Sequence, residues 1–303
     1  FKQRYYEIKF QIAKARQQKD KATNFLGQLE SVAPDGVLTL LGKAELAFEA
    51  DDIDGSLRIL QKLDSNTDNK QQKPELTIAS WFEREGKSQN ADLWIMKAAT
   101  KYKEDVAVQV AVGRWMLNRE KFTDALKAAQ ALESIAGKTN ASNELRAKVA
   151  FAQGAYATAE ATLQEMLEKN PANIDYANLL SLSMIQSTDE EKQKKALAIA
   201  KKVAQRQPNN SIGLSSLAYV MLKLGEVEGP RAILGKVAQM PNRSPEVKFI
   251  IAYMLSEFGQ SSQAKIVLDN TIKTKGLFLF RVEAEKLLQT LQQSSQGLPE
   301  PAK

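Results

Sequence analysis

The residues of this 303-residue chain best able to do chemistry are a carboxylate run at Asp51, Asp52 and Asp54, three tryptophans at Trp81, Trp94 and Trp115, and a basic amino end. Clustered carboxylates chelate a hard cation when their oxygens converge. Here Gly55 follows directly and apolar periodicity flanks the run, which is the setting of a turn and a helix cap. Trp81 and Trp115 are 34 residues apart with Trp94 between them, so they form either a stacking platform for a sugar or peptide, or a core stripe between neighbouring elements. Residues 1–24 carry Lys2, Arg4, Lys9, Lys14, Arg16, Lys19 and Lys21 against Glu7 and Asp20, most of the net charge of +6. Such a surplus attracts nucleic acid, an anionic polymer or an acidic protein, or simply solvates a helix face. A second basic cluster, Lys192 to Arg206, follows Asp189, Glu190 and Glu191; acid at a helix start and base beyond it is what the helix dipole favours.

The absences are as informative. With neither His nor Cys, the chain lacks the commonest general base, thiolate nucleophiles, disulfides and the usual soft metal ligands. No glycine-rich phosphate loop, G-x-S-x-G elbow, H-E-x-x-H pair or acidic calcium loop occurs. No apolar run has the length a membrane span requires. The chain is therefore expected to be no enzyme and to need no cofactor or metal. It opens at Phe1 almost directly into a helical pattern, as a piece of a longer protein would, and residues 294–303 read as a flexible tail.

The positioning elements follow from a period of 34. Small residues recur at Ala91, Ala125 and Ala159, then, after an insertion, at Ala196, Pro230 and Ala264; a second series runs through Ala79, Gly113, Ala147, Ala218 and Ala252. Two locked series at one period describe stacked two-helix units. Eight units start near residues 3, 37, 72, 106, 140, 174, 211 and 245. The eighth position of each is small except Phe10, the twentieth is small except Pro230, and apolar residues follow four positions on in every unit and seven positions on in all but the last, which has Thr271. Spacings of four and three keep one stripe on one helix face. Gly86, Gly154, Gly225 and Gly259 fall between the two helices, and Pro34, Pro171 and Pro208 just past the second. Residues 278–293 form one further amphipathic stretch, predicted as a capping helix over the last unit, so that 1–293 makes one solenoid.

Small residues at positions 8 and 20, a large apolar residue at 24, glycine between the helices and proline near the end resemble the tetratricopeptide repeat. The resemblance implies an all-α, right-handed superhelical solenoid of antiparallel helix pairs whose first helices line a concave face. Positions 2, 5, 9, 12 and 13 then place Glu45, Glu49, Ser80, Glu144 and Glu257 on that face together with Lys73, Arg84, Arg114, Asn118, Lys148, Asn178, Tyr219, Lys223 and Tyr253, the latter nine as partner-binding residues. Arg84, Arg114 and Lys148, at spacings of 30 and 34, would grip an acidic extended segment. The clamp that some family members use for chaperone tails needs Asn or Arg at position 6; here that position reads Ile8, Gly42, Thr77, Ala111, Leu145, Leu179, Ser216 and Ile250. The implied function is a non-enzymatic scaffold for a protein or peptide. Similarity of Phe278 to Leu288 to the F-x-F-R-x-E-A-E-x-L-L helix of bacterial extracytoplasmic repeat proteins adds a role in secretion or exopolysaccharide export. Two alternatives are a binder of nucleic acid or another anionic polymer through the basic amino-terminal hairpin, and a regulatory module of an enzyme whose catalytic domain lies elsewhere. Acidic residues in the second and third units speak against nucleic acid.

Overall fold

The computed structural model describes residues 1–65, 73–241 and 243–296, with side chains up to residue 293. Seventeen helices and no strand occur among the described residues. In order they are α1 (Lys2–Ala15), α2 (Lys19–Val32), α3 (Val37–Glu49), α4 (Ile53–Ser65), α5 (Pro74–Arg84), α6 (Ser88–Lys101), α7 (Val106–Asn118), α8 (Phe122–Ala136), α9 (Asn140–Ala152), α10 (Tyr156–Lys169), α11 (Ile174–Met184), α12 (Glu190–Arg206), α13 (Ser211–Lys223), α14 (Glu228–Val237), α15 (Pro245–Glu257), α16 (Ser261–Ile272) and α17 (Arg281–Gln296). Odd-numbered helices up to α15 are the first helices of repeats, even-numbered ones the second. The chain divides into two compact units, residues 1–108 and residues from 109 onward.

One backbone feature sets the helix-to-helix turn. Position 15 of the repeat has positive φ in Gln17 (+56°), Asp51 (+63°), Gly86 (+75°), Glu120 (+57°), Gly154 (+74°), Gly225 (+82°) and Gly259 (+75°). The chain reverses there through the left-handed region, which glycine enters freely and other residues only with strain. Asp51 thus belongs to a turn, and the Asp52 carboxylate accepts from the Gly55 N–H (2.8 Å) at the start of α4. Asp189 likewise caps α12, accepting from the Glu191 N–H at 2.9 Å.

In unit 1 the small series is buried at Ala44, Ser56, Ala79 and Ala91, and Phe48 stacks edge-on to Phe82 (4.8 Å) and leans on Trp81 (5.4 Å). Trp81 and Trp94 are core residues rather than a platform. Phe10, bulky at a small-residue position, fits because its neighbour in α3 is Gly42: a Cβ there would lie 2.9 Å from the Phe10 ring and 2.7 Å from Leu26. In unit 2, Ala125, Ala159, Ala196, Ala218, Ala252 and Ala264 are fully buried, and a Cβ on Gly113 would strike Leu145 at 2.4 Å. Pro230 does not break a helix. It is the third residue of α14, inside the first turn, where no N–H partner is lost.

The terminal helix differs from expectation. It begins at Arg281 and runs to Gln296, so Phe278 and Phe280 precede it, and residues 297–303 of the expected tail lie outside the described residues. Gly276, with φ +96°, turns the chain out of the α16 end, and the stretch that follows is not helical.

Candidate functional site: the first-helix faces

Each unit has a face lined by its first helices. In unit 1 that face holds an ion cluster spanning three consecutive repeats. The largely buried Glu45 carboxylate on α3 pairs with Lys14 of α1 and with Arg84 of α5, the latter at 2.7 Å. Beside it runs a groove of 320 Å³ whose walls are Phe10, Gln11 and Lys14 of α1, Leu38, Leu41, Gly42 and Glu45 of α3, and Thr77, Trp81 and Arg84 of α5. Only first helices line it.

In unit 2 the equivalent face is covered by the chain itself. Three consecutive backbone N–H groups of the segment after Gly276 donate to side chains: Leu277 to Asn118 Oδ1 (3.3 Å) and Phe278 to Glu120 Oε1 (3.0 Å), both in a distant repeat, and Leu279 to Glu246 Oε1 (3.3 Å) of the last one. The Phe280 ring stacks on Phe249 (4.8 Å) and meets Phe151 (5.1 Å) and Tyr219 (5.6 Å) edge-on; Phe278 packs on Phe249 at 6.4 Å. Both rings are fully buried. Arg281 closes the arrangement, donating from Nε to Glu120 Oε2 (2.6 Å) and from its terminal nitrogens to the carbonyls of Ile272 (2.6 Å), Thr274 (3.1 Å) and Gly276 (3.3 Å). Glu120, one of three non-glycine residues with a left-handed turn conformation among the described residues, is thus also the anchor of the strap. Strain held at a side chain that makes such contacts is the pattern of a functional position.

The expected partner-binding residues divide accordingly. Tyr219 is 1% exposed, and its hydroxyl accepts from Gln186 Nε2 (3.2 Å). Expected free on the inner face, it is core, because Phe280 covers it. Asn178 is also buried, with no hydrogen-bond partner on its Oδ1. Asn118 is engaged by Leu277. Tyr253 sits edge-on to Tyr219 (5.0 Å), and burial pushes its hydroxyl pKa up to about 12. Lys223 lies over the rings of Tyr219 (5.5 Å) and Tyr253 (5.3 Å), where desolvation lowers its pKa.

The expected cations are matched by carboxylates. Lys73, at the start of α5, pairs with Asp105 (3.2 Å) and covers the Tyr102 ring (4.8 Å). Arg84 pairs with Glu45, and Arg114 and Lys148 share Glu144, at 3.3 and 2.5 Å. Burial and both cations act on Glu144 in opposite directions; its carboxyl lies below its ordinary pKa, so attraction by the cations outweighs desolvation. Arg84 falls in unit 1, Arg114 and Lys148 in unit 2. Each of these carboxylates meets two cations, Glu45 taking Lys14 and Arg84 and Glu144 taking Arg114 and Lys148, so both clusters keep a net positive charge. In the basic hairpin, Lys14 and Lys19 are likewise matched, by Glu45 and by Glu49 (3.6 Å).

Comparison with known proteins agrees with the fold. No family model matches the sequence, and no curated protein does either. Among solved structures, a tetratricopeptide repeat protein from Parabacteroides merdae superposes with a TM-score of 0.62 at 14% identity, covering 84% of this chain and 97% of that one. A thermophilic tetratricopeptide repeat protein from Thermus thermophilus gives 0.50 at 13% identity, covering 62% and 100%.

Proposed function

We propose that this chain, whose helix pairs have the tetratricopeptide-repeat fold, is a non-enzymatic scaffold that holds a protein partner as an extended peptide along a first-helix face. One observation supports the reading: the first-helix face of unit 2 already holds a non-helical segment, its own, through side chains that take consecutive backbone N–H groups and aromatic rings that pack around Phe278 and Phe280. Unit 1 presents a groove on the same face, with Trp81 and Phe10 as apolar walls and the Lys14–Glu45–Arg84 cluster as polar edge. Two cations against one carboxylate leave that edge with a net positive charge, which favours a peptide that adds an acidic side chain to its apolar anchors.

Peptide-display selection on the immobilised full chain tests this. Enriched peptides should bind wild type and lose binding in Thr77→Trp, which fills the groove while leaving the helical circular dichroism unchanged. Failure to enrich any peptide over a heat-unfolded control, or binding indifferent to Thr77→Trp, would sink the reading. For context we infer a bacterial extracytoplasmic assembly for secretion or exopolysaccharide export, supported by the Phe278 to Leu288 motif. Recovery of the native protein in the cytosolic fraction of source cells would overturn that part.

A further inference from the structure

The unit 1 groove adjoins a second, larger cavity of 400 Å³ between the α1–α2 pair and α3. Ala13 of α1, Leu26 of α2 and Leu46 of α3 supply its apolar walls, and Lys19 pairs with Glu49 at its rim (3.6 Å). Phe10, Lys14, Gly42, Glu45 and Arg84 line both cavities, so the ion cluster stands on the border between them. Along α3 the groove is lined by Leu38, Leu41, Gly42 and Glu45, and the second cavity by Gly42, Glu45, Leu46 and Glu49. The second set repeats the first one helical turn further on. Two apolar cavities therefore sit side by side with a charged group at their junction.

The cluster's own balance specifies what crosses that junction. Glu45 has only 10% of its side chain exposed, whereas Lys14 has 41% and Arg84 53%, so the acid lies underneath and its two cations face solvent. Arg84 meets Glu45 through a terminal nitrogen at 2.7 Å, and a guanidinium carries five N–H donors, which leaves part of the fork for a second carboxylate. Two positive charges around one negative charge accommodate one more acid. A further one would meet the Lys19–Glu49 pair, whose charges already cancel. We propose that the two cavities take a stretch of a partner protein in which a single acidic side chain stands between two apolar ones, the acid on Arg84 and Lys14 and one apolar anchor in each cavity. This rests on the peptide-scaffold reading above and names what that peptide carries.

The probe is a random peptide library displayed against the immobilised full chain, followed by synthetic copies of the enriched sequences in fluorescence anisotropy. Enriched sequences should carry one Asp or Glu between two large apolar residues. Changing that acid to its amide should weaken binding about tenfold, the worth of a charge-assisted hydrogen bond. Arg84→Gln should weaken the acidic peptide by a similar factor and leave the amide copy unaffected, a coupling that a merely structural role of Arg84 would not produce. Thr23→Trp fills the second cavity from its exposed mouth. It should weaken the same peptide about tenfold and leave unaffected a copy in which the anchor for that cavity is replaced by Ser, with the helical spectrum unchanged in each variant. Enriched peptides that depend on Thr77 but lack the acid, that ignore Thr23→Trp, or whose acid and amide copies respond equally to Arg84→Gln would overturn this inference and leave the scaffold reading standing. No enrichment over the heat-unfolded chain would overturn both.

Discussion

The first-helix face of unit 1 is an open groove edged by an ion cluster, while that of unit 2 is packed solid with Phe278 and Phe280. Both are built from the same repeat positions, so the difference lies in what the chain brings to them. In unit 1 the polar groups at these positions satisfy one another, Glu45 taking both Lys14 and Arg84. In unit 2 Glu144 likewise takes Arg114 and Lys148, while Asn118 and Glu120 turn to the backbone of a segment nearly 160 residues away. Chain outside the repeat thus covers part of this face in unit 2.

The contrast can be broken most directly at Phe280. Phe280→Ala should destabilise unit 2 by about 3 to 5 kcal/mol, the cost of emptying a fully buried aromatic site. Denaturant melts followed by hydrogen exchange should locate that loss in residues beyond 109 and leave unit 1 unchanged. A loss below about 1 kcal/mol would mean the ring is not packed as described.

Glu120→Ala removes the carboxylate that holds the Phe278 N–H and Arg281, and a loss of about 1.5 to 3 kcal/mol is expected from charge-assisted bonds of this kind. Glu120→Gly should recover part of it by relieving the left-handed backbone. Equal melts for both variants would separate the strap from the strain.

Glu283 sharpens the comparison through pH. Burial holds its carboxyl above the ordinary value; one oxygen accepts from the Tyr156 hydroxyl and the other has no partner. A group with raised folded pKa binds its proton more tightly folded than unfolded. Its contribution is therefore complete below the unfolded value of 4.5 and declines as pH rises through the folded one. Glu283→Gln should make unit 2 more stable at pH 7 and flatten its pH dependence above 4.5, read from melting curves at several pH values. A steeper dependence in the variant would contradict the assignment.

The smallest effect belongs to the open unit. Gln17→Gly, at a left-handed turn, should raise the stability of unit 1 by up to about 1 kcal/mol. A destabilised variant would mean the Gln17 side chain contributes more than its backbone strain.

Periodicity made the repeat legible because packing between neighbours recurs: Ala125 and Ala159 are small for the same reason, and both are fully buried. Position 15 was half legible. Its glycines marked the turn, whereas Gln17, Asp51 and Glu120 adopt the same conformation without the residue type that announces it. The strap was not legible as such. A contact across some 160 residues leaves no period, and residues 278–288 carry enough helical pattern to be read as helix throughout. The charges of the first-helix faces were legible in part: Glu45 and Glu144 stand at first-helix positions beside the cations, but that each takes two of them is decided by packing rather than by spacing.

A stack of repeats ordinarily melts like a zipper, each pair feeling only its neighbours and the ends fraying first. The hydrogen bonds that Glu120 accepts from Phe278 and Arg281 join the beginning of unit 2 to its end, so neither end can open without releasing the other. Unit 2 should therefore unfold as one cooperative block with nearly uniform amide protection from α8 to α17, while the α1–α2 pair exchanges its amides early. The strap changes the order in which the molecule comes apart.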